Sequence, residues 1–206
     1  MLRLRLFRSF GSLVGALLIA SCADPVLQSL TAPVSAAESR GPGSLGSMTS
    51  SAKSAADLEL HALWWSKKHG TQVSVSQRID QSGGRISIPG TGFTMDVPAG
   101  ALSAPLTITV TADEKYVAYK MEPTGTQFQK DVTVTQSLRV TTLGGLPLRN
   151  QLYAAFIPDD NTKLSGKVPV LEIEPSTTIF SPLNALIPEA HVWIIRHFSR
   201  YMLASG

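Results

Sequence analysis

Near its end the chain reads "VWIIRHFSRYMLASG", and within that stretch His197-Phe198-Ser199 sets an imidazole and a hydroxyl two residues apart. Alternate residues of a β-strand face the same side, so in a strand His197 and Ser199 project together while Phe198 projects opposite. The chemistry open to such a pair is attack on the chain itself. Ser199 Oγ would add to the carbonyl of Phe198 while His197 takes the hydroxyl proton, and water would then hydrolyse the resulting ester. The covalent chain supplies proximity. The fold must still twist a stable amide and receive the oxyanion, and local strain of order 1–3 kcal/mol is what a packed domain can hold. The same residues also make sense as structure alone. Trp193, Ile195 and Tyr201 share the face of His197 and Ser199, Val192, Ile194 and Phe198 line the other, and a strand apolar on both sides closes a sandwich. Both readings stay open on the sequence.

The second reactive residue is Cys22, the single cysteine. It follows "MLRLRLFRSF", with Arg3, Arg5 and Arg8 and no acid, and the apolar run "GSLVGALLIAS". That is the pattern of a secretory signal over residues 1–21, too short to span a bilayer as a stable helix. Ile19, Ala20 and Ser21 before Cys22 resemble the bacterial lipobox. The resemblance implies diacylglycerylation of the thiol, cleavage before it and acylation of the new amino terminus, palmitate-type chains that hold the protein to a membrane. A lone thiol in an exported chain has no partner for an internal disulfide, which fits. Three fatty chains anchor more firmly than one or two. In the lipoproteins this resembles, an acid directly after the cysteine favours the inner membrane; here Ala23 comes first and Asp24 second. In a cell with two membranes the outer one is the expected site.

Other chemistry is thin. His61, His69, His191 and His197 have no metal-ligand spacing, and there is no second thiol, so no metal site is expected. Glu172 and Glu174 share one strand face and read as a solvated edge. "GTG" at 90–92 lacks the third glycine and helix of a phosphate loop, and no GxSxG elbow occurs. No cofactor is expected, and an enzyme acting on other molecules has no supporting constellation. The three leader arginines account for the excess of 18 basic over 15 acidic residues. The remainder is near neutral with no basic block, which argues against a nucleic-acid partner.

The elements that would position these residues follow from pattern. Residues 22–54 are rich in Ser, Ala, Pro and Gly without apolar periodicity and read as a flexible tether. Within "SAADLELHALWWSKKHG", Ser54 and Asp57 resemble a capping box and Lys67, Lys68 and His69 suit a helix end, so a short helix is expected over 55–70. Trp64 and Trp65 would dock that helix onto the domain or touch a membrane surface. Over 71–206 the period becomes two. "QVSVSQRI", "GRISIPG", "GFTMDVP", "PLTITVTAD", "YVAYKMEP", "DVTVTQSLRVTTL", "LYAAFIP", "VPVLEIEP", "TTIFSP" and "HVWIIRHF" are rich in Val, Ile and Thr and are separated by Gly, Pro and "PDDN" turns. That pattern predicts an all-β antiparallel sandwich.

Gly83, Gly84, Gly92, Pro98, Gly100, Ala101 and the "ITV" at 108–110 occur in the order seen in the ZU-five domain, the β-sandwich of zonula occludens proteins, netrin receptors and ankyrins. "MEPTGTQFQKDVTV" resembles that family's next segment through Pro123, Gly125, Phe128 and Val132, with Asp131 where relatives often carry proline. The resemblance covers about residues 77 to 201, and no motif aligns within 144–188. It implies a β-sandwich. Because some self-processing relatives break a His-Phe-Ser motif, it also maps cleavage onto the Phe198–Ser199 bond. The expectation is a lipid-anchored cell-envelope protein whose sandwich is a non-enzymatic binding or structural module for a protein or envelope partner. The alternative is a domain that cleaves itself once.

Overall fold

The computed structural model describes residues 58–206; the leader 1–21, Cys22, the tether 22–54 and residues 55–57 lie outside the described residues. The strands in chain order are β1 (His61–Ala62), β2 (Val73–Ile79), β3 (Gly84–Ile88), β4 (Phe93–Val97), β5 (Leu106–Ala112), β6 (Ala118–Glu122) and β7 (Gln127–Ser137). After a 3₁₀ turn at Leu138–Val140 come β8 (Leu152–Ile157), β9 (Glu172–Glu174), β10 (Ser176–Ser181), β11 (Asn184–His197) and β12 (Arg200–Ser205). Each apolar-alternating segment named above forms a strand. They assemble into two antiparallel sheets, β2-β5-β6-β12-β8-β9 with β1 also on β12, and β10-β11-β7-β4-β3.

Alternation decides which faces meet. Phe93 and Met95 of β4, Val132 and Val134 of β7, and Trp193 and Ile195 of β11 point in from the second sheet. Ile108 and Val110, Tyr119 and Met121, Leu152 and Ala154, and Tyr201 and Leu203 point in from the first; all these side chains are buried in one cluster. Burying so much aliphatic and aromatic surface is the main stabilising term. The first sheet is also covered on its outer face, where Leu60, Leu164, Val168 and Val170 pack against Ala118, Ala155, Ile157, Met202 and Ala204. β12 is therefore buried on both faces, from Tyr201 through Ala204.

The helix expected over 55–70 is absent from the described residues 58–70, where the chain is extended. His61 and Ala62 pair with Ser205 and Ala204, and isolated bridges join Trp64 to Tyr116 and Trp65 to Thr141. The reason is an open ladder: past Ala118 the β6 side of β12 has no partner, and β1 occupies it. Leu63 N–H donates to Leu203 O at 2.8 Å while its carbonyl accepts from Val117 N–H at 2.8 Å. That tertiary pairing overrides a weak local helix signal. Trp65 docks this strand, buried with its indole N–H on Asp113 O at 2.8 Å. Trp64 stays half exposed, edge-on to Tyr116 with the Lys115 ammonium 4.2 Å from its ring centre.

Two of the expected turn glycines need their lack of a side chain. Gly83 has φ +80°, and a Cβ there would meet the Val97 carbonyl oxygen at 2.3 Å. Gly92, at φ +66°, would press a Cβ against Ser137 at 2.8 Å. They hold the β3–β4 hairpin against its own continuation and against β7.

Candidate functional site at the crossover between sheets

His197-Phe198-Ser199 is where the chain leaves one sheet and enters the other. β11 ends at His197, which pairs with Gln127 after a register shift, and β12 begins at Arg200 between β6 and β8. The single closing strand expected from the sequence is thus two strands joined by a bend at Ser199. This corrects the two-face assignment. Phe198 does not share a face with the half-buried Val192 and Ile194; it turns into the inter-sheet core with Trp193, Ile195 and Tyr201, ring to ring with Phe128 at 4.7 Å. A two-residue period cannot be counted through a bend.

Every peptide of the crossover is held. Phe198 N–H donates to Thr126 O at 2.9 Å, Gly125 N–H donates to Phe198 O at 3.0 Å, and Met121 N–H donates to Ser199 O at 3.0 Å. Gly125 presents its N–H from a turn at φ +82° that follows a cis Glu122–Pro123 bond. The carbonyl Ser199 would have to attack is the one receiving the Gly125 N–H.

The imidazole of His197 is turned toward Tyr201, not hydrogen-bonded to Ser199. Tyr201 O–H donates to the His197 carbonyl at 2.9 Å, and Tyr201 Oη lies 3.2 Å from His197 Nδ1. The phenol has one proton, so with that proton on the carbonyl the Nδ1 must be the donor in the second contact. This leaves Nε2 with its lone pair free. Burial, with Glu174 and Glu172 nearby, holds the Tyr201 phenol protonated well above its ordinary range.

Beside His197 lie two residues the sequence placed on a solvated edge. Glu172 is exposed as expected, but Glu174 is buried, 7 % exposed. Its strand β9 pairs with β8, Ala154 opposite Glu174 and Phe156 opposite Glu172, which aims both carboxylates toward the inter-sheet side. Burial first, and repulsion from Glu172 second, push the Glu174 carboxyl up to about 7, with Arg196 opposing. Glu172, Glu174 and His197 each offer a ligand atom within 4.8 Å of the others. Nothing in the spacing of 172, 174 and 197 announces this cluster; only the pairing of β9 with β8 and the end of β11 bring it together. Asp131, the departure from the family pattern, accepts from Arg196 Nε at 2.8 Å on the exposed surface.

His61 lies exposed on β1, and His191 is buried on β11 with Nδ1 3.0 Å from Thr178 Oγ1 and no partner for Nε2. Burial alone pulls His191 down to about 4. Among the described residues no further group of His, Cys, Asp and Glu side chains gathers in this way, and no helix is long and apolar enough to cross a membrane.

At the far end of β11 the surface is apolar. Between Glu174 and Glu189 there is no charged residue. Within that span Ile179, Phe180, Leu183 and Leu186 are exposed, Leu183 at 95 %. β10 is the outer strand of its sheet, with register shifts on both sides of Phe180. No family model matches the chain, and no curated protein matches it.

Proposed function

We propose that this chain is a lipid-anchored cell-envelope protein, held by Cys22, whose ZU-five-like sandwich is a non-enzymatic binding module. The observation that carries the binding reading is the tip of the β10–β11 hairpin, uncharged from Pro175 to Pro188. Edge strands are ordinarily protected by charge, proline, bulges or cover. β10 has prolines only at its ends, Pro175 and Pro182, and an irregular register at Phe180, but it carries no charge. Its outer ladder, flanked by Ile179, Phe180, Leu183 and Leu186, pairs with no strand among the described residues. Its occupant is an extended strand of a partner envelope protein added to β10. Lipid is the poorer occupant, because burying the edge in hydrocarbon would leave its N–H and C=O groups unpaired, whereas a partner strand satisfies them.

Hydrogen exchange over β10 tests this. In native membranes the outward amides of Ser176–Ser181 should be protected, and Leu183→Asp should abolish that protection. Protection on protein-free vesicles would make lipid the occupant. Protection in the purified protein together with a dimer would make it a second copy. Either result, or no protection at all, overturns the strand-addition reading. The anchor is tested separately: labelled palmitate should enter the chain and be lost in Cys22→Ser.

One observation favours a second reading, a single self-cleavage. The Phe198 carbonyl already accepts the Gly125 N–H at 3.0 Å, a donor that could hold an oxyanion. The Ser199 Oγ–carbon bond would form as the Phe198–Ser199 C–N bond breaks, with the hydroxyl proton passing by way of His197 to the departing amine. Water would then split the ester into the Phe198 carboxylate and the Ser199 alcohol. Intact mass under denaturing conditions decides. A loss equal to the 199–206 peptide in the parent but not in Ser199→Ala supports cleavage, and full-length mass in both after long incubation removes it.

A further inference from the structure

The corner where β9 meets the end of β11 holds a small cavity of about 180 Å³, bordered by Glu172, Glu174, Arg196 and His197. We propose that Glu172, Glu174 and His197 bind a divalent transition-metal ion there, Zn²⁺ above all.

Three observations support it. The three side chains come from two different sheets yet place ligand atoms within 4.8 Å of one another. Glu174 is more than nine-tenths buried, and neither hydrogen bond nor ion pair to its carboxylate occurs among the described residues. That carboxylate borders the cavity, partly withdrawn from water, and an unpaired carboxylate so placed carries a desolvation cost that a bound cation offsets. Third, the Tyr201 contact fixes the Nδ1–H tautomer of His197 and frees Nε2, the kind of outer hydrogen bond that orients metal-bound histidines.

The donor set chooses the metal. One imidazole and two carboxylates suit Zn²⁺ better than Ca²⁺ or Mg²⁺, which take oxygen ligands only. Zn²⁺ bonds of about 2.0–2.2 Å put tetrahedral ligand atoms roughly 3.3 Å apart, so the cluster must tighten by up to about 1.5 Å. Glu172 is exposed and can supply that movement, while His197, edge-on to Phe156 at 5.1 Å, and Glu174 stay fixed by packing. Two carboxylates balance the ion's charge, with Arg196 drawn off by Asp131. A fourth position remains for water.

Titration of Zn²⁺ into the full chain carrying Cys22→Ser, followed by calorimetry, tests this, and Co²⁺ visible absorption reports coordination number. One saturable site per chain is expected, with the intense bands of four-coordinate Co²⁺. Glu174→Gln and Glu172→Gln should each weaken binding at least tenfold, and a rise in unfolding temperature with Zn²⁺ should appear in the parent alone. Glu172→Gln alters an exposed side chain, so its result does not depend on a refolded core. Absence of a saturable site, or unchanged affinity in both glutamine variants, overturns the proposal.

Discussion

β11 runs from one kind of environment to its opposite. At the Asn184 end it forms half of an uncharged hairpin whose Leu183 is 95 % exposed; at the His197 end it enters a crossover in which Phe198 is 1 % exposed and each flanking peptide is hydrogen-bonded. The two ends share composition, for both are rich in large apolar residues. What separates them is whether another element arrives. Two sheets converge on the crossover because the chain changes sheets there. The hairpin tip runs past the end of β7, where Leu148 N–H donates to the Leu186 carbonyl at 2.9 Å but Leu183 and Leu186 stay exposed. Apolar content therefore marks buried packing at one end of this strand and an exposed surface, the one proposed above for recognition, at the other.

The sharpest way to break that contrast is Phe198→Ala. A phenyl ring removed from between Phe128 and the inter-sheet core should cost about 3–5 kcal/mol of unfolding free energy, measured by denaturant titration. A cost under 1 kcal/mol would mean that the crossover is no better packed than the hairpin.

Much of the fold was legible before any coordinates, and the reasons differ by element. The alternation in "LTITVTA" and "FTMDV" follows directly from one core face and one outer face. The glycines at 83 and 92 announced turns because no other residue fits them. Residues 58–70 were misread because their local signals favour a helix while their partner, β12, lies far away in sequence. The His-Phe-Ser motif could be picked out, but its faces could not, since a bend resets the count. Glu174 was read as exposed because β9 has only three residues, too few for alternation to show which side is inward.

The middle of β11 offers the next test. Folded His191, held near 4 by burial, takes up its proton later than the unfolded residue, whose ordinary value is 6.5. Between those values this residue binds more protons in the unfolded chain, so the His191 contribution to stability falls as pH drops from about 6.5 to 4, by up to roughly 3 kcal/mol. The raised Glu174 contributes in the opposite direction over part of that range. His191→Gln should flatten that slope in unfolding curves taken between pH 7 and 4. An unchanged slope would assign acid sensitivity elsewhere and leave His191 open to solvent, more like the hairpin than the crossover.

Tyr201→Phe is a smaller change at the crossover. It removes the donor to the His197 carbonyl and the acceptor for Nδ1 while keeping the buried ring. A loss of about 1–2 kcal/mol is expected, together with greater freedom of the His197 ring, visible as a shifted tautomer ratio in ¹⁵N spectra. A loss indistinguishable from zero would show that packing alone fixes His197.

The smallest effect on stability belongs to the hairpin, and its smallness is the point. Leu183→Asp puts a charge where the native side chain already stands in water, so the unfolding free energy should change by no more than about 0.5 kcal/mol. The same substitution should abolish protection of β10 in native membranes, because a partner covering that edge would have to bury an unpaired carboxylate. Stability and association must therefore separate at this residue, as they cannot at Phe198. Were Leu183→Asp to destabilise the isolated protein by more than 1 kcal/mol, the hairpin would be packed in solution, and its apolar side chains would be core, like those at the other end of the strand.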